Sequence, residues 1–223
     1  MAKSTVSKLA AKVSSPLPAV PGMSRRQQFS ASTKRTLIEV AERLFTDNGY
    51  ASTSLDAIVA GAEVTKGALY HHFSGKQALF EVVFEKVETA TAQRIEQAMR
   101  EERDPWAKAI VGLRAFLARV QEPGYRRIVI QDGPAVLGYE RYREQEERSA
   151  FAVVRDIVQL VLEAAGQSFD DEMVGTFARL FFGALSSAGE SVTASSDPES
   201  AAERVEAAVA YLLGGLQALA PKD

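Results

Sequence analysis

The chain's two histidines, His71 and His72, stand side by side in VTKGALYHHFSGKQALF, residues 64–80, next to Tyr70 and between Lys66 and Lys76. Imidazoles suit metal ligation, general-base catalysis or hydrogen bonding to anions. The chain has no cysteine and the stretch has no acidic residue, so the partners a metal site or proton relay needs are missing. Adjacent helical positions also point about 100° apart, so the two rings cannot easily hold one ion together. The stretch therefore reads as donors for nucleic acid, with no catalytic residue, metal or cofactor expected.

Three short helices are expected to position these donors. From Thr33, Leu37, Val40, Ala41, Leu44 and Phe45 recur at helical steps, and Asn48-Gly49 supplies a stop. Thr53 stands three residues before Asp56 in capping-box spacing, ahead of a second helix of about two turns. Thr65 caps a third that runs to about His72, and Ser74 with Gln77 opens a long fourth helix through Leu79, Phe80, Val83, Val87 and Ile95. This is a helix-turn-helix whose third helix is small enough for a major groove. Val64, Leu69 and Phe73 face inward, leaving Thr65, Lys66, Ala68, Tyr70, His71 and His72 mostly outward. Thr65, Lys66 and the Ala68 methyl suit base edges. Tyr70, His71, His72, Lys76 and the helix start near Thr53 suit phosphate, and Gly67 permits close approach. On this reading Lys76 contributes roughly one unit to the salt slope of binding.

Charge divides along the chain: residues 1–76 carry ten Lys and Arg against five Asp and Glu, and the remainder sixteen against twenty-four. The basic part contains the helix-turn-helix, although the whole chain has a net charge of −3. Residues 1–32 read as a flexible basic arm, since positions 1–30 hold five basic and no acidic residues and three prolines. There is no secretory h-region, and no apolar run approaches the roughly 18 residues that span a bilayer. The expectation is a cytoplasmic protein with no membrane partner.

Residues 33–84 resemble the DNA-binding domain of TetR-family transcriptional regulators. Gly49-Tyr50, Thr53, Ile58, Ala62, Val64, Lys66-Gly67, Leu69-Tyr70, His72-Phe73, Lys76 and Leu79 all fall on that family's pattern. Glu63 departs from it, standing in the turn where the family usually carries glycine; it brings a positive-φ cost and an anion near DNA. The resemblance implies an all-α protein: a helix-turn-helix domain at 33–80, then a ligand-binding and dimerisation domain at 81–223. It further implies a small-molecule effector, a palindromic DNA operator and a homodimer whose last two helices pair with the second subunit.

Beyond residue 100 the pattern stays helical, with expected helices at about 105–120, 124–132, 136–165, 170–192 and 198–219. Asp104-Pro105 and Asp197-Pro198 act as starts, and Gly133-Pro134 and Gly166 as breaks. Bulky side chains on the central helices nominate Trp106, Phe116, Ile128, Asp132, Tyr139, Phe151 and Phe177 for the effector pocket. Phe177, Leu180, Phe181, Ala184 and Leu185, with Val205, Val209, Leu212, Leu213 and Leu216, form the stripes expected to pair in a dimer bundle. The expected function is a homodimeric, ligand-responsive repressor released by a small hydrophobic or amphipathic effector. The alternatives are an effector-independent DNA-binding factor on the same fold, or a helical carrier or enzyme.

Overall fold

The computed structural model describes residues 25–148, 150–218 and 220, and every element among them is helical. The expected basic arm lies outside the described residues up to position 24; from Arg25 onward the chain is already in α1 (Arg25–Ser52). That corrects the arm's boundary at 32, because residues 25–32 continue the helix that carries Leu37 and Phe45 into the core. Gly49 interrupts α1 with φ 77°, as the Asn-Gly pair foretells.

α2 (Leu55–Gly61) and α3 (Lys66–His72) follow, then α4 (Lys76–Met99). Glu63 sits between α2 and α3 at φ 54°, the left-handed conformation that the departure from glycine implied. Such a backbone costs a non-glycine residue on the order of 1–2 kcal/mol. The N-cap of α4 is Gly75, which makes no side-chain cap, so the Ser74–Gln77 capping box is not formed.

α4 starts against α1–α3, which form the head, and continues into the helical body that follows. Leu79, Phe80, Val83 and Phe84 are wholly buried along it, and one apolar core runs from Leu37, Phe45, Ile58 and Leu69 through these residues to Ile128. Phe80 meets Phe45 and Tyr50 at ring separations of 5.2 Å each. Truncating one such buried phenylalanine costs about 3–5 kcal/mol. Head and body therefore share packing, and a boundary drawn at residue 80 cuts through α4.

The body comprises α5 (Pro105–Gln121), a short turn α6 (Pro123–Tyr125), a π-helical segment (Arg126–Asp132), α7 (Gly133–Leu137), α8 (Tyr139–Arg148), α9 (Ala150–Ala164), α10 (Asp171–Ala194) and α11 (Pro198–Gln217). Asp104 and Asp197 cap α5 and α11 with a proline in each first turn, as expected, and Gly166 ends the α9 segment at φ 72°. Gly133-Pro134 is not a break. Pro134 has no N–H for the carbonyl one turn back, and the wider π-helical turn upstream accommodates it without ending the helix. Gly133 serves packing: a Cβ there would lie 2.8 Å from the Phe84 ring. The chain breaks instead at Gly138, φ 77°. No helix among the described residues is long and apolar enough to cross a membrane.

Candidate nucleic-acid interface and internal cavity

α3 is pinned from inside and open outside. Leu69 and Phe73 are buried, Val64 is half-buried, and the Thr65 hydroxyl caps the helix by accepting from Ala68 N at 3.2 Å. Thr65, Lys66, Gly67, Tyr70 and His71 are exposed, while Ala68 and His72 are half-buried. The two imidazoles meet edge to face at 5.1 Å. Among the described residues no group of three or more His, Asp or Glu converges as a metal site would need. Burial, the neighbouring His71 and the Lys34 ammonium all press the His72 proton affinity below the ordinary histidine value. Lys66 is engaged by Asp56 across the α2–α3 corner at 2.6 Å, an exposed pair that phosphate or a base can displace at little cost. A Cβ on Gly67 would find only the Thr65 hydroxyl, at 3.8 Å. The chain's own packing does not require glycine there.

Two of the nominated donors are turned inward. Thr53 is 3% exposed, and its hydroxyl donates to the Leu44 and Gly49 carbonyls, Gly49 at 2.8 Å. Ser54 caps α2 instead, accepting from Ala57 N. The capping-box reading was one residue early, because only Ser54 has both an extended backbone and a side chain free to turn back on the helix. Lys76 is half-buried, and its ammonium donates to the Tyr50 carbonyl at 2.8 Å and the Thr53 carbonyl at 2.9 Å while lying 4.2 Å from the Tyr50 ring. It ties the end of α1 to the start of α4 rather than standing as an exposed charge.

Asp132 accounts for the far side of the same joint. Its carboxylate accepts the Tyr50 N–H at 2.8 Å and lies 3.3 Å from Arg127 Nε, while the Arg127 guanidinium covers Gly49 so closely that a Cβ there would collide with it. The body thus grips the head at the one point where α1 loses helical geometry. Asp132 was nominated for an effector pocket; here it is committed to the head.

A cavity of about 100 Å³ lies inside the body between α4, α5, α9, α10 and α11, with an almost wholly apolar wall. Of the nominated pocket residues only Phe116 lines it. Ile128 is wholly buried in the main core and Trp106 half-buried outside the cavity wall. Tyr139 is 72% exposed, Phe151 packs edge-on against Phe182 at 5.7 Å, and Phe177 packs beside Val158, Leu162 and Val174. Large residues fill space, so choosing them selected packing. Space opens where small ones face one another, and Ala109, Gly112, Ala150 and Ser186 are the signal the sequence offered.

The dimerisation stripes also divide. Phe177, Phe181, Leu185, Val205, Val209, Leu213 and Leu216 are half-buried or buried within their own protomer, several against the cavity. Leu180 at 67% and Leu212 at 62% exposure remain outside, with Ala184 and Tyr211.

A pinned helix-turn-helix joined through a shared core to a hollow helical body defines a transcriptional regulator of the helix-turn-helix class. A family model described as bacterial regulatory proteins, tetR family, matches residues 37–83, and one described as tetracyclin repressor-like, C-terminal domain, matches 106–216. The chain belongs to the TetR family of transcriptional regulators. It is 41% identical over 65 residues to the regulator AcrR of Shigella flexneri and 34% over 68 residues to the A-factor receptor protein of Streptomyces griseus. These matches span 29% and 30% of this chain, and only 30% and 24% of the relatives' length. A TetR-family regulator from Pectobacterium atrosepticum superposes with TM-score 0.73 at 28% identity, covering 87% of this chain and 97% of that one. RolR in complex with resorcinol shares the fold, with TM-score 0.65 at 19% identity over 89% and 97% of the two chains. AcrR and the Pectobacterium protein are both transcriptional regulators.

Proposed function

We propose that the protein is a homodimeric repressor that holds two α3 helices in successive major grooves of a palindromic operator and releases them when a small molecule fills the body cavity. Thr65, Lys66 and Ala68 face base edges; Tyr70, His71 and His72 face phosphate, with Gly67 allowing close approach. Two such helices must be spaced about 34–36 Å apart, and the outward apolar face of α10 and α11, around Leu180, Ala184 and Leu212, is suited to a second copy.

The observation that carries this reading is the two-sided segment at 125–132. Tyr125 and Ile130 border a side compartment of the cavity, while Arg127 and Asp132 hold Gly49 and Tyr50 of the head. An occupant that repacks the first pair moves the second, and its influence is limited to its differential affinity for the two head positions. RolR was crystallised with resorcinol; a small molecule in the body cavity here would play the corresponding part. The test is capture of fragments from the organism's own DNA followed by anisotropy titration. One short palindromic site bound by two chains supports the reading. Equal retention of all fragments contradicts it.

A further inference from the structure

We propose that the effector, on the reading that this cavity takes one, is an apolar cation: an aryl or alkyl chain ending in an ammonium group. The apolar cavity adjoins a smaller compartment of about 20 Å³, and the two share Phe116, Ala150, Phe182 and Ser186 as a partition. The smaller one differs sharply in chemistry. Its wall holds two carboxylates, Glu88 at 2% exposure and Glu190 exposed, together with the rings of Phe116, Tyr125, Tyr142 and Phe182.

Among the described residues no lysine or arginine lines either space. The Arg119 guanidinium, 5.9 Å from the Tyr125 centroid, is engaged by Glu122 and the Thr91 hydroxyl. Aromatic faces and carboxylates both favour a positive charge and repel a negative one. The larger space has a complementary demand: an engineered apolar cavity of about 150 Å³ accepts benzene, so one of about 100 Å³ takes a short chain or, after a rotamer change in its wall, a single ring. The tail lies in the larger space and the ammonium head passes the Phe116–Phe182 partition toward Glu88. Tyr125 and Ile130, on the segment that grips the head, are then direct neighbours of the charge.

An isosteric series tests this on the intact protein: 4-phenylbutylamine, 4-phenylbutanol and 4-phenylbutyrate by titration calorimetry, repeated on Glu88→Gln and Glu190→Gln. The expected result is amine bound at least about tenfold more tightly than alcohol, with no measurable carboxylate binding. Glu88→Gln should bring amine and alcohol to within about threefold of each other; if that variant fails to fold, Glu190→Gln should narrow the gap in the same direction, and the wild-type series decides alone. Equal affinity for amine and alcohol, or preference for the carboxylate, overturns the proposal. Binding of none of the three overturns it together with the cavity's role. Selective amine binding that leaves DNA affinity unchanged upholds the cation site and removes the effector reading instead.

Discussion

At Gly67 two demands on one residue have opposite signs. A methyl there meets nothing of the chain closer than 3.8 Å, so Gly67→Ala should stabilise the folded protein by roughly 0.5–1 kcal/mol while weakening DNA binding if the duplex lies against that face. Thermal melts and anisotropy on the same sample check both signs. Lys76 gives the contrasting case. Its ammonium serves two backbone carbonyls, so Lys76→Met should cost about 1.5–3 kcal/mol of stability and leave the salt slope of DNA binding nearly unchanged, where the sequence reading expects a loss of about one unit. His72 sets a pH dependence. Its folded proton affinity is depressed by burial, His71 and Lys34, so the unfolded chain binds more protons and stability falls as pH drops below about 6.5. Melts between pH 5 and 7.5 should show a shallower loss in His72→Asn; an unchanged slope would refute that assignment. The donor types on α3 were legible in the sequence because helical period and side-chain chemistry fix them. The inward turn of Thr53 and Lys76 was not, because each depends on carbonyls left open where α1 breaks at Gly49.

Among the elements, the π-helical segment between Arg126 and Asp132 faces two ways. It is packed between the side compartment and the α1 break, and one carboxylate, Asp132, carries its hold on the Tyr50 amide. Asp132→Ala should lower stability by about 1–3 kcal/mol and weaken coupling between cavity occupancy and DNA affinity. Comparing DNA affinity with and without a bound effector in the two proteins checks this; a full effector response in the variant would contradict it. Helix caps at Asp104 and Asp197 were readable because a side chain and a proline announce them locally. The continuity through Pro134 was not. It rests on the wider π-helical turn upstream, and the glycine before Pro134 answers to Phe84, forty-nine positions earlier in the chain, a long-range contact that no local signal reports.

For the whole molecule, all-α architecture and a helix-turn-helix head followed from periodicity and the TetR resemblance, but assigning faces of α10 and α11 did not. Both stripes on each helix are apolar, so the period alone cannot say which one meets its own protomer. The structure turns Phe181, Leu185, Val209 and Leu213 toward the cavity and leaves Leu180 and Leu212 exposed. Introducing Leu180→Glu with Leu212→Glu should therefore change the protomer's own packing by less than about 0.5 kcal/mol per site, yet convert a dimer to monomers in sedimentation analysis and abolish high-affinity operator binding. A variant that stays dimeric would place the partner elsewhere. The most direct measurement is the stoichiometry and spacing of binding on a DNA fragment selected from the organism's genome, read by footprinting with mass measurement of the complex. The account predicts two chains on one palindrome, with half-site centres about one helical turn or a multiple of it apart. A single chain on an asymmetric site, or no selected fragment at low ionic strength, would contradict it.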